Sequence, residues 1–248
     1  MDALTGFDWL QIAGALVAAF AAAYVRGLAG FGMAILLVPV LALAMTPVEA
    51  VLVTNAVSVL IGLSEARTLL RDAERTAWGI IAGVALATAP GLWLLSITPN
   101  AVARVLIALV ALSAFVAVLL PRRPADLPGR LHTGLTGIAT GVLTGFAGMP
   151  GPPVVPYYVG RDIPRQVAKA SMLLVFSVAS AVGLISGAAL RVLEPNYLLL
   201  ALLLFPAVLA GNWLGARQFG TVEERTWRLF VAVVLGATAL VALGKLAF

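Results

Sequence analysis

Arg26-Gly27-Leu28-Ala29-Gly30-Phe31-Gly32, followed by an apolar run to Pro39, has a counterpart far along the chain. It is Thr144-Gly145-Phe146-Ala147-Gly148-Met149-Pro150-Gly151, followed by a run to Pro156. Gly27, Ala29 and Gly30 match Gly145, Ala147 and Gly148 at a constant offset of 118 residues. A helix broken at membrane depth leaves backbone groups unpaired, which lipid penalises and a water-filled cavity tolerates. Two such breaks at corresponding places in two halves predict a transport protein's binding site.

Composition sets the frame for that reading. The chain has 248 residues, 62% of them hydrophobic and 11% charged, and a mean hydropathy of +1.06. A soluble domain is near a quarter charged, and several apolar runs here reach the ~20 residues that cross hydrocarbon. Residues 1–248 are therefore expected to form a single transmembrane transport domain in the bilayer. The sixteen Lys and Arg residues sit in short loops between apolar runs, which makes them topology signals rather than a nucleic-acid surface. Cysteine is absent, so disulfides, thiolate metal sites and a cysteine nucleophile are excluded. Asp2 and Asp8 stand where a signal peptide has a basic region, and the first segment is expected to be retained.

Punctuation divides the chain into ten helical pieces, expected at about 9–26, 33–45, 48–69, 76–97 and 101–120, then 131–147, 151–160, 164–190, 196–216 and 225–246. The second piece of each half is short. At ~1.5 Å per residue neither spans ~30 Å of hydrocarbon, so pieces one and two of each half should form a broken helical hairpin with its glycine turn inside the membrane.

Placing Arg122, Arg123 and Arg130 in the cytoplasm also puts Arg67, Arg71, Arg75, Arg161, Arg165, Lys169, Arg217, Arg225 and Arg228 there. Only Arg104, Arg191 and Lys245 fall outside, with Arg26 left within the membrane. This positive-inside bias makes both termini extracytoplasmic in a multi-pass protein of the cell (inner) membrane. The first hairpin then starts and ends outside and the second inside. The fold is thus expected to be all-α, an inverted repeat of five-piece halves at about 9–120 and 131–247.

Arg26 follows seventeen uncharged residues, Trp9 to Val25, and directly precedes the first turn. An ionisable residue at membrane depth is a functional candidate; the competing reading is a side chain snorkelling to headgroups. No acid lies near it in sequence to pair it. The helix starting after Gly32 has free N–H groups and a positive dipole end, which suit an anion. Phe31 and Met149 stand in the two turns and join the substrate-binding candidates. Thr54, Asn55, Ser58 and Glu65 lie mostly on one helix face by their spacing, and Thr54 corresponds to Ser171 at an offset of 117. Their hydroxyls and amide could complete an oxyanion site or simply join helices. Ser177, Ser180, Gly183 and Gly187 form a small-residue stripe in the second half. Gly79, Gly83, Ala87 and Gly91 step by four, as do Ala207, Gly211 and Gly215, as packing faces.

No Ser/His/Asp set, paired acids or metal cluster is visible, and His132 is the single histidine. No catalytic residue, metal or cofactor is therefore expected. The partners expected are a small anionic substrate and the lipid bilayer, with no nucleic acid; a homodimer stays open.

Two halves, each with a glycine-rich break, an apolar run and a proline, resemble the sulfite exporter TauE/SafE family of bacterial anion permeases. The likeness runs from Tyr24 to the last helix. It implies movement of sulfite, sulfoacetate or related sulfur-containing or organic anions. It also implies that Gly27, Gly30 and Gly32, with Gly145, Gly148 and Gly151, line the substrate path. Consecutive glycines typical after the break are replaced here by Met33-Ala34 and by Pro150-Gly151-Pro152-Pro153. Prolines remove N–H donors, so the second half-site should hold an anion less well. The expected function is a secondary transporter for a small anion, by alternating access at a central site. A carboxylate or a neutral solute as substrate, and a membrane-embedded enzyme, remain as other readings.

Overall fold

Thr46-Pro47-Val48-Glu49 is a helix-start signal, and it works as one. The Glu49 N–H donates to Thr46 Oγ1 at 3.3 Å and the Thr46 N–H to Glu49 Oε2 at 2.7 Å, a reciprocal box that satisfies two otherwise orphaned donors. In the computed structural model, which describes residues 7–119, 129–159 and 161–218, the helix from this cap is Pro47–Asp72.

Nine helices make up the architecture among the described residues. They are α1 (Trp9–Ala29), α2 (Met33–Ala44), α3 (Pro47–Asp72), α4 (Thr76–Ile97), α5 (Asn100–Leu119), α6 (Arg130–Ala147), α7 (Gly151–Val159), α8 (Arg165–Ala189) and α9 (Pro195–Arg217). Five of them, α1, α3, α4, α8 and α9, are long and apolar enough to cross a bilayer. Large apolar side chains such as Val17 (70% exposed) and Leu86 (77%) cover the outside, as lipid permits and water does not. The expected piece at 225–246, most of the central loop and both termini lie outside the described residues.

The main boundary correction concerns the first break. α1 continues to Ala29, so Gly27 is helical and the interruption is Gly30–Gly32. Gly30 takes φ 81° and its counterpart Gly148 takes φ 66°. That left-handed conformation costs other residues about 1–2 kcal/mol, which is why each helix ends at its glycine. α2 and α7 have twelve and nine residues. Gln11 Nε2 donates to the Ala44 carbonyl at 2.6 Å, which ties the end of α2 to the start of α1. Arg104 donates to the carbonyls of Ala42 and Met45, so the last turn of α2 has partners for its free acceptors.

Glycines set the helix pairing. A Cβ on Gly27 would run into the Asn212 carbonyl, and one on Gly215 into that of Tyr24, so α1 and α9 meet backbone to backbone. In the same way a Cβ on Gly145 would meet the Thr88 carbonyl, and one on Gly83 the backbone of Gly137 at 2.8 Å. α4 and α6 are joined there. Small residues are the ordinary device for close helix approach in lipid. The four-step glycine rows of α4 and α9 pack as expected, and α6 contributes a row of its own, Gly137, Gly141 and Gly145.

Candidate functional site

The two glycine turns face one cavity. It is lined by Arg26, Phe31, Gly32 and the first turn of α2 from one half, and by Pro150, Gly151, Leu173, Phe176, Ser177 and Ser180 from the other, with Ser58 and Ile61 of α3 between them. Its volume is about 40 Å³, room for roughly three water-sized positions. Helix geometry leaves the first N–H groups of α2 without an intrahelical acceptor, and Met33, Ala34 and Ile35, which carry them, are in the wall. At the opposite wall Pro152 and Pro153 follow Gly151, so α7 has fewer donors in its first turn.

Arg26 needs a correction. Its side chain is 7% exposed, and it is not alone. Nη2 donates to Glu65 Oε2 at 2.7 Å, while Nη1 donates to Glu65 Oε1 at 3.2 Å and to Asn212 Oδ1 at 2.7 Å. Asn212 Nδ2 closes the triangle on Glu65 Oε1 at 3.4 Å. α1, α3 and α9 each supply one corner. Arg26 therefore does not snorkel; it is tied down across the interior. A second, wider cavity of about 300 Å³ lies beyond this cluster, lined by Gly27, Glu65, Asp72, Gln166, Lys169 and Asn212 among others. Arg26 and Leu173 belong to both walls, so the cluster separates a central cavity from a vestibule.

The remaining candidates divide. Phe31, Gly32, Ser58 and Gly151 meet at the central cavity with Arg26. Gly30 shapes the turn, and a Cβ on it would touch the Lys169 side chain at 3.3 Å. Gly148 does the same against α3, where its Cβ would lie 3.5 Å from the Val51 Cα. Gly27 and Gly145 are helix-packing positions, although Gly27 also borders the vestibule. Met149 is fully buried within the apolar core and does not reach the cavity wall. Ser171 is not brought to the cavity either. Its hydroxyl accepts from the Glu74 N–H and donates to the Val167 carbonyl, both at 2.8 Å, which anchors the α3–α4 connection. Thr54 and Asn55 are fully buried, and Thr54 Oγ1, Asn55 Oδ1 and Asn55 Nδ2 have no hydrogen-bond partner. Asn55 rests on Gly183 of α8, where a Cβ would strike its amide nitrogen at 2.5 Å.

Sequence reasoning missed Asn212, which lies 186 residues from Arg26. The available signal was an amide after a long apolar run, Tyr197 to Gly211, which lipid makes costly unless it has a partner. A second ion pair also emerges. Arg161, just past α7, donates to both oxygens of Glu74 at 2.7 and 2.8 Å and lies over the Tyr157 ring at 5.6 Å. Hydrogen bonding to Glu74 holds its guanidinium above the ordinary arginine value, against burial. It fixes the far end of the second hairpin to the α3–α4 connection.

The family model of the sulfite exporter TauE/SafE matches residues 15–242. No curated protein and no solved structure matches the chain. The match takes in both glycine turns, the cavity between them and the Arg26 cluster, so the chain belongs to the sulfite exporter TauE/SafE family of membrane transport proteins.

Proposed function

We propose that residues 1–248 form one transport domain that carries a small anion by alternating access through the cavity between the turns. The substrate class is sulfite, an organosulfonate or a related sulfur oxyanion, in keeping with the family. The observation that carries this reading is Arg26: a buried guanidinium beside a helix start, in a cavity walled by both glycine turns. A guanidinium presents a planar fork suited to oxyanions, and helix N–H groups supply further donors. Ser58, Ser177 and Ser180 add hydroxyls. Thr54 and Asn55 are assigned to the same path. Unsatisfied buried polar groups cost about 1–3 kcal/mol each, and they lie about one helical turn from Val51, where the Gly148 turn rests.

The halves, about 9–120 and 131–247, are read as an inverted repeat. Support comes from an exchange of partners: α1 packs on α9 and α6 on α4, so each half's first helix meets the other half's fourth. Each turn likewise rests on the other half's third helix, Gly30 at Lys169 and Gly148 at Val51. Such a repeat lets one half rock against the other around a fixed site.

Proteoliposomes containing only the purified protein should take up labelled sulfite above empty vesicles, and unlabelled ethanesulfonate should compete. Uptake no faster than in empty vesicles, for sulfite and for sulfonates alike, would reject the reading. Orientation is tested separately in this cysteine-free chain. Single cysteines near either terminus should react with an impermeant maleimide on intact cells, and cysteines between Pro121 and Gly129 should not. The reverse pattern would overturn this orientation, which depends on the twelve-to-three distribution of basic residues; termini and central loop on the same side would remove the inverted repeat.

A further inference from the structure

Glu65 holds the groups that an oxyanion would need. Its two oxygens lie on the two terminal nitrogens of Arg26, at 3.2 and 2.7 Å, the side-by-side geometry in which a guanidinium takes any two-oxygen anion. Its side chain is 29% exposed while that of Arg26 is 7% exposed, so the carboxylate faces the vestibule and the guanidinium is the enclosed partner. We propose that Glu65 is a built-in competitor for the transported anion. In the arrangement seen here its carboxylate occupies the Arg26 fork and closes the vestibule off from the central cavity. A substrate oxyanion arriving from the vestibule opens the way by displacing it. This rests on the reading of Arg26 as the anion-binding residue and adds the gate and its selectivity.

Three features carry the inference. Arg26 lies in the wall of both cavities, so whatever occupies its fork controls passage between them. Asn212 holds Nη1 from the other side at 2.7 Å, so the guanidinium keeps one partner and its position when Glu65 leaves. Asp72, the other carboxylate of the vestibule wall, is held by Arg71 at 2.7 Å and Gln166 at 2.9 Å. It lies on α3 about two turns beyond Glu65 and is not bonded to Arg26. Selection follows from the exchange. A solute with two coplanar acceptor oxygens and a negative charge replaces what Arg26 loses; a neutral solute or a halide does not. A ligand that must first displace an internal competitor binds more weakly, in proportion to the fraction of molecules with a free site.

The test compares sulfite and ethanesulfonate binding by calorimetry at one pH and ionic strength, in detergent, with the full chain. Glu65→Gln keeps the shape and one acceptor but removes the charge, and it should tighten both anions by roughly tenfold. Asn212→Asp places a second carboxylate on Nη1 and should weaken both by roughly tenfold. Asp72→Asn removes a vestibule charge that is already held by Arg71 and Gln166 and shares no partner with Arg26, so it should change affinity less than about twofold. Weaker or unchanged binding in folded Glu65→Gln would overturn the competitor role. So would an equal gain in Asp72→Asn, which would reduce the effect to general charge. If Arg26→Ala also binds both anions normally, the Arg26 reading itself has failed, which is a different result.

Discussion

Arg26→Ala protein should keep its helical fold and lose sulfite affinity by roughly ten- to a hundredfold, with transport nearly absent. Loss of a charge-assisted hydrogen bond is worth ~1.5–3 kcal/mol, and each 1.4 kcal/mol is about tenfold. The upper end applies because the Arg26 side chain is 7% exposed, and water substitutes poorly for it. Arg26→Lys should fall between, since an ammonium restores the charge but not the two-pronged geometry. Removing Arg26 also leaves Glu65 unpaired, but Glu65 faces the vestibule and keeps Asn212 as a neighbour at 3.4 Å, so the fold should survive. Calorimetry and uptake in proteoliposomes check this, with helicity by circular dichroism as the folding control. A folded Arg26→Ala protein that binds and moves sulfite like the parent would leave Arg26 a purely structural ion pair with Glu65 and Asn212.

The second large effect is an asymmetry between the turns. Gly32→Val should reduce transport below about a tenth of the parent, whereas Gly151→Val should leave a substantial fraction. Gly32 takes φ 100°, where a β-branched residue is strained by about 1–2 kcal/mol or more. The new side chain would also stand in the cavity wall beside the α2 N–H groups. Gly151 has no left-handed backbone, and the nearest atom to an added Cβ is Ile35 Cδ1 at 3.4 Å, an ordinary contact with the end of a movable side chain. Pro152 and Pro153 already deprive that turn of donors. Initial uptake rates for monodisperse protein decide it, and equal loss at both positions would refute the asymmetry.

Much of the architecture was legible without coordinates, and the reasons are local. A run of apolar residues reaching bilayer length can only satisfy its backbone as a helix in lipid, so α1, α3, α4, α8 and α9 could be read from hydropathy and punctuation. The repeated Gly-x-Ala-Gly marked both turns because a left-handed residue ending a helix favours glycine. The short runs that follow, at Met33 and Gly151, marked α2 and α7. Four-step glycine rows on α4 and α9 identified faces of close approach for the same reason: bulk at those positions cannot be accommodated. The charge of Arg26 within an apolar stretch singled it out as a residue requiring an explanation.

What the tertiary structure alone decided is which distant groups meet. Periodicity records which face of a helix is small or polar, but not which face of another helix lies opposite. Arg26 looked unpaired because Glu65 and Asn212 lie 39 and 186 residues away, on helices whose neighbourhood is set by glycine contacts such as Gly27 on Asn212. Ser171 matched Thr54 by offset, yet its hydroxyl holds the backbone of Glu74, because α8 reaches the α3–α4 connection there. Ser177 and Ser180 read as part of a small-residue stripe, and only the approach of α8 to the first turn made them cavity wall. Local sequence thus determined the helices, their breaks and one buried charge, through backbone hydrogen bonding and steric limits. The division into vestibule and central cavity, and the carboxylate that occupies the Arg26 fork between them, arose from long-range packing that no local pattern encodes.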